Sequence, residues 1–280
     1  MSAAVPARLS ALLQTMVATI REPDARERHA ASPAEYFAGR GLEPRDQAAL
    51  ALVDPKALFT YRSLVRGTLR SAIHQEIPRT ATLLGDRFEV DLDRYFASSM
   101  PSSHYLRDVA FEFVELASAG WRADAGVPPF AHDLARHELL DFEVAASPRA
   151  PRAGAPPAEA ALELERPVLF DGAARLARYD YPVHTIAAEG AVAPRETWLF
   201  VYRDSELEIR HLELTPLAAA ITRGLLDGEP LGRAVTVACE KLRATLSAAT
   251  LEGVAKLLAD YAERGVLIGS LTGSLPDNPS

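Results

Sequence analysis

Residues 196–214 read ETWLFVYRDSELEIRHLEL, and this segment decides the fold of the second half of the chain. Before a polar turn at residues 203–206, Trp198, Phe200 and Tyr202 alternate with Leu199 and Val201. Alternation with a period of two places successive side chains on opposite faces of a strand. The residues after the turn alternate again, so the segment predicts a β-hairpin.

The periodicity becomes helical directly after this hairpin. Thr215 is a predicted N-cap, and Pro216 suits the first helical position because that residue needs no N–H donor. A break at residues 228–230 separates this helix from a second one at 231–242, and a third runs from Ser247 to Gly265. With the apolar segments around residues 171–172, this order predicts a small α+β domain of winged-helix type, about three strands and then three helices.

The first half of the chain is predicted to be helical, with no strand pattern before Pro148. Its central segment, residues 59–88, reads FTYRSLVRGTLRSAIHQEIPRTATLLGDRF, in which Pro78 ends one helix and Gly85 is the C-cap of the next. A predicted apolar stripe on the longer helix consists of Tyr61, Leu64, Val65, Thr68, Leu69, Ala72 and Ile73.

A change of composition predicts the domain boundary. Residues 147–161, SPRAPRAGAPPAEAA, are rich in proline and alanine, as linkers are. We therefore predict a helical domain at 1–146, a linker at 147–161, an α+β domain at 162–270 and a flexible tail at 271–280.

The overall charge disfavours nucleic acid as a partner. The chain of 280 residues has a formal net charge of −8, whereas nucleic-acid binding depends on an excess of Lys and Arg. The single cysteine, Cys239, excludes an internal disulfide and a thiolate metal cluster, and its helical context predicts a buried thiol.

The N-terminal residues do not show the pattern of a signal peptide. The apolar residues of the first predicted helix fall on one face instead of forming a continuous block. No apolar run reaches the length of about 18 residues that a membrane-spanning helix needs. We expect a cytoplasmic protein.

Arg62, Arg66 and Arg70 lie four residues apart and form an arginine stripe along the long helix, which His74 continues. The spacing fits a solvated helix face, a surface for a protein or acidic peptide, or a surface for nucleic acid. Without a basic field around it, the stripe is a poor phosphate-binding surface, so the first two interpretations are favoured.

A second polar cluster lies at residues 130–145, where Asp133, His137 and Asp141 are spaced to share one helix face. The two histidines of this segment, His132 and His137, diverge around the helix and lack the four-residue spacing of zinc proteases. We therefore predict no metal site and a helix that faces solvent or a partner. No nucleophile elbow, phosphate loop or dinucleotide motif is found, which indicates a non-catalytic protein.

Several of these segments resemble the HvfC/BufC family, whose N-terminal domain carries a DNA-binding label. The resemblance rests on YRSLVRGTLRSAIHQEIPRTATLLGDRF, on FAHDLARHELLDFEVA and on YPVHTI. The second of these segments is similar to a family helix at Asp133, Ala135, Arg136 and Glu138. This chain departs from the family pattern at Ser63-Leu64 and at His137.

The resemblance implies a partner subunit of multinuclear non-heme iron-dependent oxidases, which modify ribosomally made peptides (RiPP biosynthesis). The second domain would then be similar to a precursor-peptide recognition element. Catalytic residues and cofactors are expected to be absent from this chain, with the iron in the oxidase. The arginine stripe becomes the candidate oxidase contact.

Such a recognition element would bind the peptide by strand addition to the edge of the hairpin. The candidate edge runs from residue 207 to 212, and the third helix of the domain would form the other wall of the groove. The candidate peptide-binding residues are Leu207, Glu208, Ile209, Arg210, His211, Leu212, Leu251, Val254, Leu258 and Tyr261.

Two other functions stay open. A DNA-binding transcriptional regulator would use the winged-helix-like domain, but its second helix offers only Arg233, Lys241 and Arg243 as candidate groove contacts. An enzyme with an unrecognised site is the weaker alternative, because catalytic groups can converge from distant parts of a sequence.

Overall fold

The computed structural model describes residues 7–98, 101, 103, 105–148, 158–159, 161–186 and 192–271. The chain divides into two compact units, Met1–Ala135 (unit 1) and Arg136–Ser280 (unit 2). The division falls inside the helix Ala131–Ala146, before the predicted boundary at 146, because the second half of this helix packs on the sheet of unit 2. Most of the predicted linker and of the predicted tail lies outside the described residues.

Unit 1 is built from helices. The described helices that begin in this unit are α1 Ala7–Arg21, α2 Ala25–Ala31, α3 Pro33–Phe37, α4 Pro44–Ala51, α5 Pro55–Glu76, α6 Pro78–Leu84, α7 Asp86–Ser98, α8 Val109–Ala123 and α9 Ala131–Ala146. A short 3₁₀ helix, Leu106–Asp108, precedes α8. The described residues of unit 1 form no strand, in agreement with the sequence pattern.

Local sequence signals set the ends of these helices. Proline occupies the first position of α3, α4, α5 and α6, where its missing N–H costs nothing. The side chain of Asp54 accepts a hydrogen bond from the backbone N–H of Lys56 at the start of α5. Gly85 adopts a φ of 52° after α6, a conformation that other residues reach only with strain.

Aromatic side chains form much of the core of unit 1. Phe113 packs edge-to-face against Phe88, Tyr95 and Trp121, with ring centroids 5.2 to 5.9 Å apart. Phe88 and Tyr95 lie on α7, whereas Phe113 and Trp121 lie on α8, so two of these three contacts join the two helices. Such aromatic pairs add about 0.5–1.5 kcal/mol each to the burial of the rings.

Glu76, the last residue of α5, is a destabilising group at neutral pH. Within the described chain its Oε2 atom is buried without a hydrogen-bond partner, and burial raises the pKa of this carboxyl from 4.5 to about 7. The negative end of the α5 dipole also disfavours a carboxylate at this position. Folding therefore binds a proton between pH 4.5 and about 7, and stability is lost as the pH rises through that window.

A Glu76→Gln variant should therefore be more stable than the parent at pH 8. The expected gain is about 1–2 kcal/mol at pH 8, allowing for solvent screening, and it should vanish near pH 4, where both states hold the proton. Urea unfolding of both proteins from pH 4 to 8 checks this. A gain that does not change with pH would contradict the assignment.

Unit 2 contains two three-stranded antiparallel sheets. The strands are β1 Ala158–Glu159, β2 Val168–Phe170, β3 Arg175–Tyr179, β4 Thr197–Arg203, β5 Ile209–Leu214 and β6 Leu267–Leu271. The sheet orders are β1-β6-β2 and β3-β4-β5. The helices between β5 and β6 are α10 Pro216–Leu226, α11 Leu231–Leu242 and α12 Ala248–Glu263.

The class of fold is confirmed: a helical region is followed by a small domain of strands and helices. The predicted count of about three strands was too low, since the described residues form six, and no strand was predicted at the positions of β1 and β6. Ala158 and Glu159 pair with β6, so the end of the predicted linker is a strand. Leu271 is buried in β6, so the predicted tail begins one residue too early.

One face of the β3-β4-β5 sheet packs on the three helices of unit 2. Phe200 and Tyr202 of β4 stack together, and Phe200 contacts the ring of Tyr261 on α12 at 4.7 Å. The hydroxyl groups of Tyr261 and Thr222 lie 2.8 Å apart and share a hydrogen bond inside this core. Cys239 lies in the same core as a free, buried thiol, as predicted.

The second half of α9 makes side-chain contacts with the same sheet. Arg175 of β3 donates to Glu143 over 2.7 Å, and Arg203 of β4 donates to the backbone carbonyl of Ala145 over 2.9 Å. The ring of His137 packs edge-on against Tyr179. These contacts explain why residues 136–146 belong to unit 2.

None of the described helices combines the length and the apolar character that crossing a membrane requires.

Candidate functional site

Strand β5 lies at one edge of its sheet. It pairs with β4 from Trp198 opposite Leu214 to Arg203 opposite Ile209, and within the described chain no strand pairs with its other side. The structure therefore leaves this edge free of the chain's own described strands.

The register identifies the backbone groups that face the open edge. At the turn, the N–H of Asp204 donates to the carbonyl of Glu208, so these two residues form a hydrogen-bonded pair. Hydrogen-bonded and non-hydrogen-bonded pairs alternate along an antiparallel ladder, so every second residue of β5, counted from Glu208, is hydrogen-bonded to β4. The residues between these point their backbone N–H and C=O groups away from β4, toward the open edge of the sheet. Ile209, His211 and Glu213 are those residues, and no donor reaches their carbonyls within the described chain.

The opposite edge of this sheet, at β3, is covered by arginine side chains. Arg223 donates to the carbonyl of Leu176 over 3.1 Å, and Arg136 donates to the carbonyl of Arg178 over 3.4 Å. Because these acceptors are already used, β3 is the poorer edge for an added strand. The two edges of the sheet are thus chemically different.

The predicted peptide edge, residues 207–212, begins two residues too early. Leu207 and Glu208 belong to the turn, and Leu207 is 60% exposed with a φ of 68°. The carboxylate of Asp204 accepts hydrogen bonds from the N–H groups of Glu206 and Glu208 and so organises this turn. The paired strand itself starts at Ile209.

Helix α12 does not supply the open groove wall that the sequence analysis predicted. Val254, Leu258 and Tyr261 are buried in the core of unit 2, and only Leu251 among the four named residues is exposed, at 52%. The apolar stripe on α12 therefore packs on the domain itself. Among the peptide-facing candidates, the large apolar side chains that are exposed are those of Leu207 and Leu251.

The arginine stripe on α5 binds the end of α1. Arg62 donates to the backbone carbonyls of Thr19 and Glu22 over 3.1 and 3.0 Å, and Arg66 donates to that of Ile20 over 3.4 Å. The last carbonyls of a helix lack partners within the helix. Two of the three arginines therefore act as a tertiary C-cap for α1.

The remaining contacts of the stripe join α5 to α7. Arg66 donates to Asp93 over 2.6 Å and lies 4.9 Å from the centre of the Phe96 ring. Arg70 pairs with Glu89 at 3.0 Å, and His74 lies 2.9 Å from the same carboxylate. The stripe thus has partners inside unit 1, and its contact with an oxidase stays a prediction.

The predicted apolar stripe of α5 is wrong in its first turns. Tyr61 and Leu64 are exposed, whereas Leu69 and Ile73 are buried as predicted. Burial on this helix runs instead through Leu58 and Phe59, so that Arg62 and Arg66 come to lie against α1 and α7. The favourable bonds to helix-end carbonyls explain why arginine occupies this side.

The polar cluster on α9 is more buried than the sequence predicted. Asp133, His137 and Glu138 are buried, so the expectation of a solvated helix was wrong at these positions. Asp141 retains partial exposure and lies 2.7 Å from Nε2 of His211 on β5. Sequence reasoning missed His211 as a neighbour of this cluster because it is 70 residues away in the chain.

These observations define a helical unit and a small α+β unit in which one sheet edge is open. Residues 172–262, which lie within unit 2, match the family model described as the HvfC C-terminal domain. The match supports the assignment of the chain to the HvfC/BufC family, a family of accessory partner proteins. No curated protein matches the chain.

Proposed function

We propose that this chain is a non-catalytic partner subunit that binds a ribosomally made precursor peptide and presents it to a multinuclear non-heme iron-dependent oxidase. The observation that carries the proposal is the open edge of β5, at which Ile209, His211 and Glu213 direct their backbone groups away from β4. The family match of residues 172–262 supports the partner role. The iron belongs to the oxidase.

An extended peptide can add to this edge as a further strand. Its backbone would pair with the free N–H and C=O groups of β5, which supplies affinity without regard to side chains. Specificity would come from side-chain contacts near the strand, including the exposed Leu207. The charged residues Arg210 and Glu213 along the strand discourage permanent edge-to-edge association of two copies.

Holding the peptide raises its effective concentration at the oxidase. A tethered segment reaches millimolar effective concentration when the connecting chain is short and flexible. A partner subunit can therefore accelerate modification without contributing a catalytic group. This role needs separate surfaces for peptide and oxidase, and the exposed part of the arginine stripe at Arg70 remains the candidate for the oxidase.

Hydrogen exchange with the precursor peptide encoded beside this chain tests the proposal. Adding the peptide should slow exchange of the outward N–H groups of β5, while β3, the covered edge of the same sheet, should not change. Protection confined to another region would contradict the proposal. Salt-sensitive binding to duplex DNA without peptide binding would favour the DNA-binding alternative.

Two variants at one position sharpen the test. Ile209→Pro removes an outward N–H at the first residue of the strand, where proline is tolerated, and we expect peptide affinity to fall about fivefold, as for one lost hydrogen bond. Ile209→Ala removes the side chain but keeps the N–H, so it should retain most of the affinity. Equal binding by both variants would contradict strand addition.

A further inference from the structure

We propose that His137, Asp141 and His211 form a binding site for a divalent transition-metal ion within unit 2. One ligand atom from each residue lies within 4.8 Å of those of the other two. Two imidazoles and one carboxylate are a common ligand set for zinc and for other first-row metals. This proposal departs from the sequence expectation that the chain holds no metal, and it does not rest on the proposed function.

The site is assembled from two elements. His137 and Asp141 lie four residues apart on α9, and their Nε2 and Oδ2 atoms are 4.0 Å apart. His211 comes from β5, and its ring centroid is 4.7 Å from that of His137. The helical spacing supplies two ligands on one face, and the sheet supplies the third.

The separations between the three ligand atoms would suit a bound metal ion after a small inward movement of the side chains. Ligands bound tetrahedrally at about 2.0–2.1 Å are separated from one another by about 3.3 Å. All separations in the trio lie within 4.8 Å, so the longest exceeds this value by at most about 1.5 Å, a difference that side-chain rotations can remove. Asp141, which now accepts a hydrogen bond from His211, would exchange that bond for coordination.

Burial favours a defined site that an ion can still enter. His137 is 2% exposed, and its ring orientation is held by edge-on packing against Tyr179. The side chains of Asp141 and His211 are 29% and 26% exposed. One buried ligand and two partly exposed ligands leave room for a fourth ligand, such as water, on the solvent side.

A bound ion would connect α9 to the edge strand. His211 directs its backbone toward the open edge of β5 and its side chain toward Asp141. Coordination would therefore fix the position of this strand and raise the stability of unit 2 by ligand binding to the folded state alone.

Metal titration of the full chain tests the site. Tag-free protein is treated with EDTA, exchanged into chelator-free buffer and titrated with Co²⁺ by visible absorption and with Zn²⁺ by calorimetry. We expect one ion per chain and a thermal unfolding temperature raised by about 5 °C at a hundredfold excess over Kd. Absence of binding would overturn the proposal.

Variants assign the ligands. Asp141→Asn and His211→Asn should each weaken Zn²⁺ binding at least about tenfold, and their unfolding in EDTA verifies that both still fold. His74→Gln is the matched control, because His74 also lies beside a carboxylate, Glu89, at 2.9 Å but has no third ligand there among the described residues. Undiminished binding by both site variants, or equal loss in the control, would overturn the assignment.

Discussion

Replacing Asp91 with alanine should destabilise unit 1 by about 2–3 kcal/mol, because a buried indole N–H and two arginines lose their shared charged acceptor. Asp91 is buried on α7 and accepts hydrogen bonds from Trp121 Nε1 over 2.8 Å, from Arg87 Nε over 2.7 Å and from Arg94 Nη1 over 3.0 Å. Without the carboxylate, the indole N–H in the core loses its acceptor.

Trp121 is also a suitable probe for this experiment. The chain has two tryptophans, Trp121 in unit 1 and Trp198 in unit 2, so a Trp198→Phe background reports on unit 1 by fluorescence during urea unfolding. Glu89→Ala is the control, because this α7 carboxylate pairs with the partly exposed Arg70 and His74 and should cost less than about 1 kcal/mol. Equal costs for both variants would contradict the role of Asp91.

Replacing Arg62 with alanine should cost about 2–3 kcal/mol, because two carbonyls at the end of α1 lose a charged donor. Arg62→Lys should recover only part of this loss, since an ammonium group cannot span both acceptors as the guanidinium does. Urea unfolding in the same Trp198→Phe background measures both variants.

Arg70→Ala separates stability from partner binding. Arg70 lies on the same stripe but is 38% exposed, and its pairs with Glu89 and Asp93 are surface ion pairs. Its loss should cost less than about 1 kcal/mol. If Arg70→Ala weakens copurification with the oxidase at unchanged stability, the stripe also contacts the partner. For the preceding variant, an unchanged stability of Arg62→Ala would contradict the role of Arg62 as a tertiary C-cap for α1.

The helix ends and the hairpin were predictable because their causes are local. Pro78 separates α5 from α6, Thr215 caps α10 by accepting from the N–H of Ala218, and β4 and β5 follow the alternating pattern closely. Each of these features depends on residues within a few positions of one another.

Strand β6 was missed because its signal is not local. Its sequence, LIGSL, contains Gly and Ser, which are weak strand formers, and follows directly on a helix. The strand is stabilised by pairing with β1 and β2, about 100 residues earlier in the chain. Short strands of this kind can be recognised only when the strands that pair with them are known.

By itself, the sequence determined the helical character of the first half, the hairpin followed by three helices in the second, and the resemblance that the family match supports. The tertiary structure decided which face of α5 is buried, which edge of the β3-β4-β5 sheet is open, and that His211 lies beside Asp141. The physical reason is the separation along the chain over which each interaction acts. Periodicity and capping involve residues within one or two turns of one another. The contact of an arginine with a distant carbonyl, or of a histidine with a distant carboxylate, depends instead on how separate elements pack.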